Sequence, residues 1–363
     1  MKPTIKDRTL LAREIAERIG FMGVGISKAE RLDEEANHLE EWLSKGYHGE
    51  MGYMANHFDM RTDPTKLVPG AKSVLSFMYN YFPGDSSLPL NPLAPPSSED
   101  VVASFGERSQ SSYGARGKVT LPPSSDTRLA ADDSRVDTPN RFENDSFKIS
   151  RYAYSEDYHK VVRRKLKEFV IELKKEIGDF HGRVFVDSAP IMERDWAKRS
   201  GLGWIGKNTL LIHPKKGSYF FLAEIILDIE FEYDHPIRDH CGTCTKCIDA
   251  CPTEAISTEG YVLDASKCIS YLTIELKSQI PDSFKDKMED WIFGCDICQE
   301  VCPWNRFSSP HDEPAFEMNE KVRNMSKEDW VEITEEEYDL LFLKSPLKRP
   351  GYKGLKRNID FCL

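Results

Sequence analysis

The stretch Cys241-Gly242-Thr243-Cys244-Thr245-Lys246-Cys247-Ile248-Asp249-Ala250-Cys251-Pro252 decides how this chain is read. Three cysteines at two-residue intervals, a fourth three residues on and a closing proline form the bacterial ferredoxin run. A second run, Cys295-Asp296-Ile297-Cys298-Gln299-Glu300-Val301-Cys302-Pro303, repeats the ending with three cysteines, and Cys268 upstream completes its set of four. In such pairs the last cysteine of one run ligates the other run's cluster. The spacing therefore predicts one [4Fe–4S] cluster on Cys241, Cys244, Cys247 and Cys302, and a second on Cys251, Cys268, Cys295 and Cys298. Residues 269–294 then have to loop out and return. Cys-x2-Cys pairs also serve structural zinc, but zinc ribbons rarely set three cysteines at two-residue intervals before Cys-Pro. Cys362 lies outside both runs.

The cluster segment, 235–310, is one compact piece of a 363-residue chain, so the residues before it must build something else. A formal net charge of −11 argues against sequence-independent binding to nucleic acid. One stretch runs against it: residues 344–357 read KSPLKRPGYKGLKR, with no acid. The opening residues Met1-Lys2-Pro3-Thr4-Ile5 have no apolar signal core, and no run reaches the roughly 18 apolar residues of a membrane helix. The expectation is a cytoplasmic redox protein with no membrane partner.

Helical spacing of Leu10, Leu11, Ile15 and Ile19 predicts a helix over 5–19, closed by Gly20. A short strand over 21–26, a helix over 29–45 and a strand over 73–81 follow. From 84 to 146 the chain is rich in Ser, Pro, Asp and Arg and poor in apolar runs; it reads as a disordered, tolerated insertion, with RNA contact by Arg116, Lys118, Arg128 and Arg135 as the second reading. Structure resumes at 147–154. A long amphipathic helix spans 158–177, and strands are predicted over 183–187 and 219–229 with a glycine-rich stretch between them.

Asp187-Ser188-Ala189-Pro190 falls at a predicted strand end, a common place for a reactive group. Glu193-Arg194 follows, then Gly201-Leu202-Gly203-Trp204-Ile205-Gly206-Lys207-Asn208, where glycines around a tryptophan would let backbone approach a flat ligand. No dinucleotide or P-loop glycine pattern is present. In wording and order, ISRYAYSEDYHKVVRRK (149–165), residues 61–81, 186–228, 241–256 and 268–275, FGCDICQEVCPWN (293–305) and SPLKRPGYKGLKRN (345–358) resemble the epoxyqueuosine reductase family.

That resemblance implies a cobalamin-dependent iron–sulfur enzyme that reduces epoxyqueuosine to queuosine at the wobble position of tRNAs with GUN anticodons, the last step of queuosine synthesis. The fold implied is α/β (α+β): a nitroreductase-like cobalamin-binding domain over 1–83 and 147–234, a ferredoxin-like domain with two [4Fe–4S] clusters over 235–310, and a helical, basic, tRNA-contacting segment over 311–363. The cofactors implied are cob(II)alamin, base-off, and the two clusters. Asp187 matches the family's proton donor, a role that suits a carboxyl raised by burial. Arg61, Ser150, Asp187, Arg194, Gly206, Lys207, Asn208, Tyr219 and Phe220 match cobalamin contacts, and His159 is part of the family's Asp-Tyr-His motif and not a cobalt ligand. Lys348, Arg349, Lys353, Lys356 and Arg357 are expected to meet tRNA phosphates. A monomer served by an external electron donor completes the expectation. A reductive dehalogenase-like enzyme acting on small molecules, or a two-cluster electron carrier, are the competing readings.

Overall fold

The structure, a computed structural model, describes residues 3–84 and 146–363, so the insertion expected over 84–146 lies outside the described residues except for its two ends. Thr4 caps the first helix, Ile5–Ile19, in a reciprocal box with Asp7, and Gly20 ends it at a φ of 101°. Asp157 caps the long helix Tyr158–Ile177 by accepting the His159 amide. Both helices keep the bounds that their apolar spacing predicts.

The strands among the described residues are β1 (Gly23–Lys28), β2 (Ser73–Asn80), β3 (Lys148–Ile149), β4 (Gly182–Phe185), β5 (Trp204–Ile205), β6 (Leu211–Ile212), β7 (Phe220–Leu227) and β8 (Trp291–Phe293). Four of them form the central sheet in the order β1-β2-β7-β4, with every neighbouring pair antiparallel. The strand-end rule for parallel α/β sheets therefore does not explain where Asp187 sits. β4 already ends at Phe185, and Asp187 belongs to the loop beyond it.

Alternation of side chains gives the sheet two working faces. Leu75, Phe77, Tyr79, Phe221, Ala223 and Ile225 face the two long helices. From the Tyr158–Ile177 helix, Val161, Val162, Leu166, Phe169 and Leu173 meet them at 0–1% exposure. Burial of such side chains stabilises by ~1.5–3 kcal/mol each. On the opposite face, Val74, Phe185 and Ile226 pack against Trp196 of a short helix, Glu193–Arg199. Gly25 is what lets that helix end come close, since a Cβ there would stand 2.4 Å from the Ser200 carbonyl oxygen.

The segment between Cys268 and Cys295 is a built scaffold. Cys268 stands at the N-cap of the helix Ile269–Ile274, and the chain returns through β8, which pairs in parallel with β3. Gly294, at φ 67°, lies so close to Ser150 that a Cβ would be 2.0 Å from its hydroxyl oxygen. The C-terminal helices add Trp330, Phe342, Leu355 and Ile359 to a core shared with Ile149, Ile274 and Phe293. Packing thus runs across residue 310. No helix among the described residues is long and apolar enough to cross a membrane.

Candidate active site and cluster sockets

Asp187 adopts a left-handed backbone, φ 54°, unusual for a residue with a side chain. Three groups fix it there. The Tyr158 hydroxyl donates to Oδ2 at 2.9 Å, His159 Nε2 lies 2.9 Å from the same oxygen, and the Asp187 amide donates to Glu193 Oε1 at 2.6 Å. The other imidazole nitrogen, Nδ1, is 2.7 Å from Asp157 Oδ1. Asp157, His159 and Asp187 therefore form one chain of contacts across the start of the long helix. The Asp187 side chain is still 54% exposed, so its carboxylate is open to solvent.

This environment favours the ionised form of Asp187. Burial would raise the Asp187 carboxyl, but the His159 and Tyr158 hydrogen bonds and the charges of His159 and Arg349 hold it below the usual carboxylate value. Burial opposes charge on His159 as well, yet Asp157 and Asp187 together push it up to about 9. These contacts favour the proton of this couple on His159, with Asp187 as its ionised partner. Glu193 behaves oppositely: burial, then the Asp187 charge, push it up to about 8. The Asp-Tyr-His motif was visible in the sequence, but its part in holding Asp187 was not.

The cysteines fall into two neighbourhoods. After burial, the charges acting on the Cys302 thiol are those of Cys241, Cys247 and Cys244. Those acting on Cys298 are chiefly of Cys268 and Cys251, and Cys295 is acted on by Cys298 and Cys268. Each neighbourhood is tied to the glycine-rich stretch. Trp204 Nε1 donates to Cys241 Sγ at 3.4 Å, and Lys207 Nζ donates to the carbonyls of Gly242 (2.8 Å) and Cys244 (3.0 Å). Asn208 Nδ2 donates to the Cys298 carbonyl at 3.1 Å. Trp204 is buried edge-on to Trp304, with ring centroids 4.9 Å apart.

Several residues expected to contact cobalamin have their side chains engaged within the protein. Lys207 and Asn208 are engaged by the cysteine loops. Gly206 is buried in the β5–β6 hairpin, where a Cβ would come 2.5 Å from Ile212 Cδ1. Tyr219 and Phe220 are buried, with the Tyr219 ring against Phe82 and its hydroxyl facing Arg151. Ser150, 2% exposed, faces Gly294 and Asp296 at the boundary with the second cysteine run. Three expected residues keep a group available. These are Asp187, the exposed Arg194, which also donates to the Thr209 carbonyl, and Arg61, whose buried Nε has no hydrogen-bond partner.

The basic C-terminal stretch is likewise largely committed to the protein. Arg357 donates to the carbonyls of Leu276 (2.7 Å), Ser278 (2.6 Å) and Leu272 (2.9 Å), and Lys356 donates to that of Val331 (2.6 Å). Arg349 grips Glu275 through two 3.1 Å bonds, and Lys348 pairs with Asp339 at 2.8 Å. Lys353 alone of the five is exposed with no ion pair among the described residues.

Comparisons with known proteins agree with this architecture. A family model described as a 4Fe-4S double cluster binding domain matches residues 240–305, and one described as epoxyqueuosine reductase QueG matches residues 129–188. An epoxyqueuosine reductase of Cyclobacterium marinum is 49% identical, covering 99% of this chain and 97% of its own. A crystal structure of epoxyqueuosine reductase with an epoxyqueuosine-modified tRNA-Tyr stem loop is similar at a TM-score of 0.75 and 29% identity, over 97% of this chain and 80% of that one. A structure of the Bacillus subtilis enzyme, with its catalytic aspartate loop swung out of the active site, gives a TM-score of 0.74 at 28% identity, again over 97% and 80%. The double-cluster match accounts for the two cysteine runs, and the relatives account for nearly all of the rest: the chain belongs to the epoxyqueuosine reductase family.

Proposed function

We propose that this oxidoreductase reduces epoxyqueuosine to queuosine at the wobble position of tRNA, with Asp187 and His159 as its proton-donating couple. The observation that carries the reading is the geometry at Asp187: an exposed carboxylate held by Tyr158 and by a charged His159. The Bacillus subtilis relative has a catalytic aspartate loop that can leave its site, and Asp187 is the candidate in the corresponding role. Cys241, Cys244, Cys247 and Cys302 are proposed to hold one cluster, and Cys251, Cys268, Cys295 and Cys298 the other. An external donor would reduce them.

The residues around Asp187 fit a base-off corrinoid. Both His159 ring nitrogens are occupied by carboxylates, which leaves no imidazole nitrogen for a metal, while Arg61 Nε is buried without a partner. Arg61 and Arg194 would hold polar substituents of cobalamin beside Asp187. When bound, cobalamin supplies a reduced metal centre able to attack or activate the epoxide carbon. The chain's own part is to orient the epoxide over Asp187, to pass a proton from His159 through Asp187 to the departing oxygen, and to hold Asp187 through Tyr158 and Glu193.

For the tRNA, the exposed cations Lys160, Arg163, Arg164 and Lys167 are better placed than most of the C-terminal stretch. They lie on the solvent face of the helix that begins at Tyr158, and none has an ion pair among the described residues. With Lys353, they are proposed to meet phosphates around the anticodon. The catalytic part would comprise 1–83 and 147–234, the cluster part 235–310, and the protein would work as a cytoplasmic monomer. The test is anaerobic reconstitution with iron, sulfide and cobalamin, then nucleoside analysis of an epoxyqueuosine-bearing anticodon stem-loop. Queuosine should appear only with reductant and corrinoid together; its absence under those conditions would contradict the reading.

A further inference from the structure

The stretch Trp204–Asn208 has no part in the reaction derived so far, yet it grips both cysteine runs from the catalytic side. Trp204 is 2% exposed, and its indole stands edge-on to His240 and Trp304, with ring centroids 5.0 and 4.9 Å away. Those rings come one residue before Cys241 and two after Cys302. Trp204 thus bridges the two chain segments that supply Cys241, Cys244, Cys247 and Cys302. From there its Nε1 donates to Cys241 Sγ at 3.4 Å.

Lys207 is fixed at both ends. The Tyr261 amide donates to its carbonyl at 2.9 Å, and Gly260 makes room for its stem, since a Cβ there would stand 2.5 Å from Lys207 Cγ. The ammonium reaches the Gly242 and Cys244 carbonyls at 2.8 and 3.0 Å, and no carboxylate pairs with it among the described residues. Asp239 also approaches this set, accepting the Cys241 amide at 2.6 Å, but it is exposed, where solvent and salt screen it.

The second set meets the same hairpin differently. Asn208 offers the Cys298 carbonyl a neutral amide at 3.1 Å. Cys251 Sγ accepts the Ala255 amide at 3.4 Å, so each set has an N–H···S bond. The buried cation on this side, Arg151, is shared by two carboxylates: Glu300 pairs with its guanidinium, and Asp296 Oδ2 lies 3.7 Å from Nη1. Charge separates the two sets, with an unpaired cation at the first and an excess of carboxylate at the second.

A cluster's reduction potential follows its net charge, the hydrogen bonds to its sulfurs and its exposure. Reduction moves one electron from the external reductant onto a centre that its thiolates already make anionic, and no bond is made or broken. A cation and an N–H donor nearby favour that added charge. We infer that Trp204 and Lys207 raise the potential of the Cys241–Cys244–Cys247–Cys302 cluster, so that it takes the first electron from the external donor. The Cys251–Cys268–Cys295–Cys298 set fills next, and the two electrons together meet the demand of epoxide reduction. The inference rests on the cluster assignment and the epoxide-reducing reading above. Neither residue touches substrate; both are positioning residues of the electron supply.

The test is a reductive titration of the full chain, reconstituted with iron and sulfide but without corrinoid or tRNA, with each centre followed by electron paramagnetic resonance. The parent should reduce in two separate steps. Lys207→Gln keeps a donor for one carbonyl and drops the charge. Its upper step should become about tenfold less favourable, about 59 mV for one electron, with the lower step and the iron content unchanged. Trp204→Phe keeps a ring and drops the N–H, and should move the same step in the same direction by less. Lys207→Arg keeps the charge and should hold the parental value. If one of the Gln and Phe variants fails to keep its iron, the other decides. Overturning results are an upper step that does not move, both steps moving equally, or a Lys207→Arg shift as large as that of Lys207→Gln. A parent with the two steps and the Lys207→Gln shift that makes no queuosine would support the inference and count against the epoxide-reducing reading.

Discussion

Two polar groups, one beyond the end of β4 and one within the sheet, treat charge in opposite ways. Beyond β4, Asp157, His159 and Asp187 are open to solvent and partnered at nearly every polar atom, so the ionised forms prevail. Within the sheet, Glu224, Ser76 and Ser27 are buried and unpartnered, so the neutral forms prevail. Glu193 accepts the Asp187 amide at 2.6 Å. Carboxyl groups of the same chemistry thus become an anion in one place and a neutral acid in the other, and hydrogen-bond supply makes the difference.

Asp187→Asn breaks the open half of the comparison most severely. It keeps size and hydrogen bonding but removes the anion that holds the proton on His159. Turnover should fall by roughly 10²–10⁴ with cluster and corrinoid content unchanged. Because His159 is protonated below about 9 in the parent, activity is lost as pH rises through that value, and in the variant the limb should move to lower pH. A variant with parental rate and limb would place the donor elsewhere.

A comparison of two cationic regions yields the next prediction. Replacing Lys160, Arg163, Arg164 and Lys167 by Gln should flatten the salt dependence of stem-loop binding by about three counterions, at ~0.7 per contact for a single strand, and leave stability near the parental value. Arg357→Gln should do the reverse. It strips three backbone carbonyls of a charged donor and should cost about 1.5–3 kcal/mol in denaturant unfolding, without changing the salt slope. Equal salt slopes in the four-fold variant and the parent would return that helix face to a merely solvated role.

The smallest effect is on stability against pH. Glu193 is raised from 4.5 to about 8 on folding, so its contribution is fully present below 4.5 and is lost as pH rises through about 8. Glu193→Gln should therefore unfold with a shallower loss of stability over that interval. An unchanged slope would mean that Glu193 is ionised in the folded protein.

The sequence made the local features legible. Apolar spacing gave the bounds of the Ile5–Ile19 and Tyr158–Ile177 helices, and the cysteine intervals announced the double-cluster segment. Features set by distant partners left no local signature. The Gly-Trp-Ile-Gly-Lys-Asn stretch reads as a ligand cradle until Lys207 and Asn208 are seen to hold carbonyls of the two cysteine runs. Arg357 reads as a phosphate contact until the carbonyls of 272–278 surround it. His159 and Tyr158 converge on Asp187 from another element and favour its ionised form, a circumstance with no signature in the Asp-Ser-Ala-Pro sequence itself.

The most direct test of this charge arrangement is nitrogen NMR of labelled histidines in cobalamin-free protein with oxidised clusters, with His159→Gln identifying the signal. The account predicts that His159 carries protons on both ring nitrogens at neutral pH and titrates near 9. A neutral imidazole at that pH, titrating near the ordinary value of about 6.5, would contradict it.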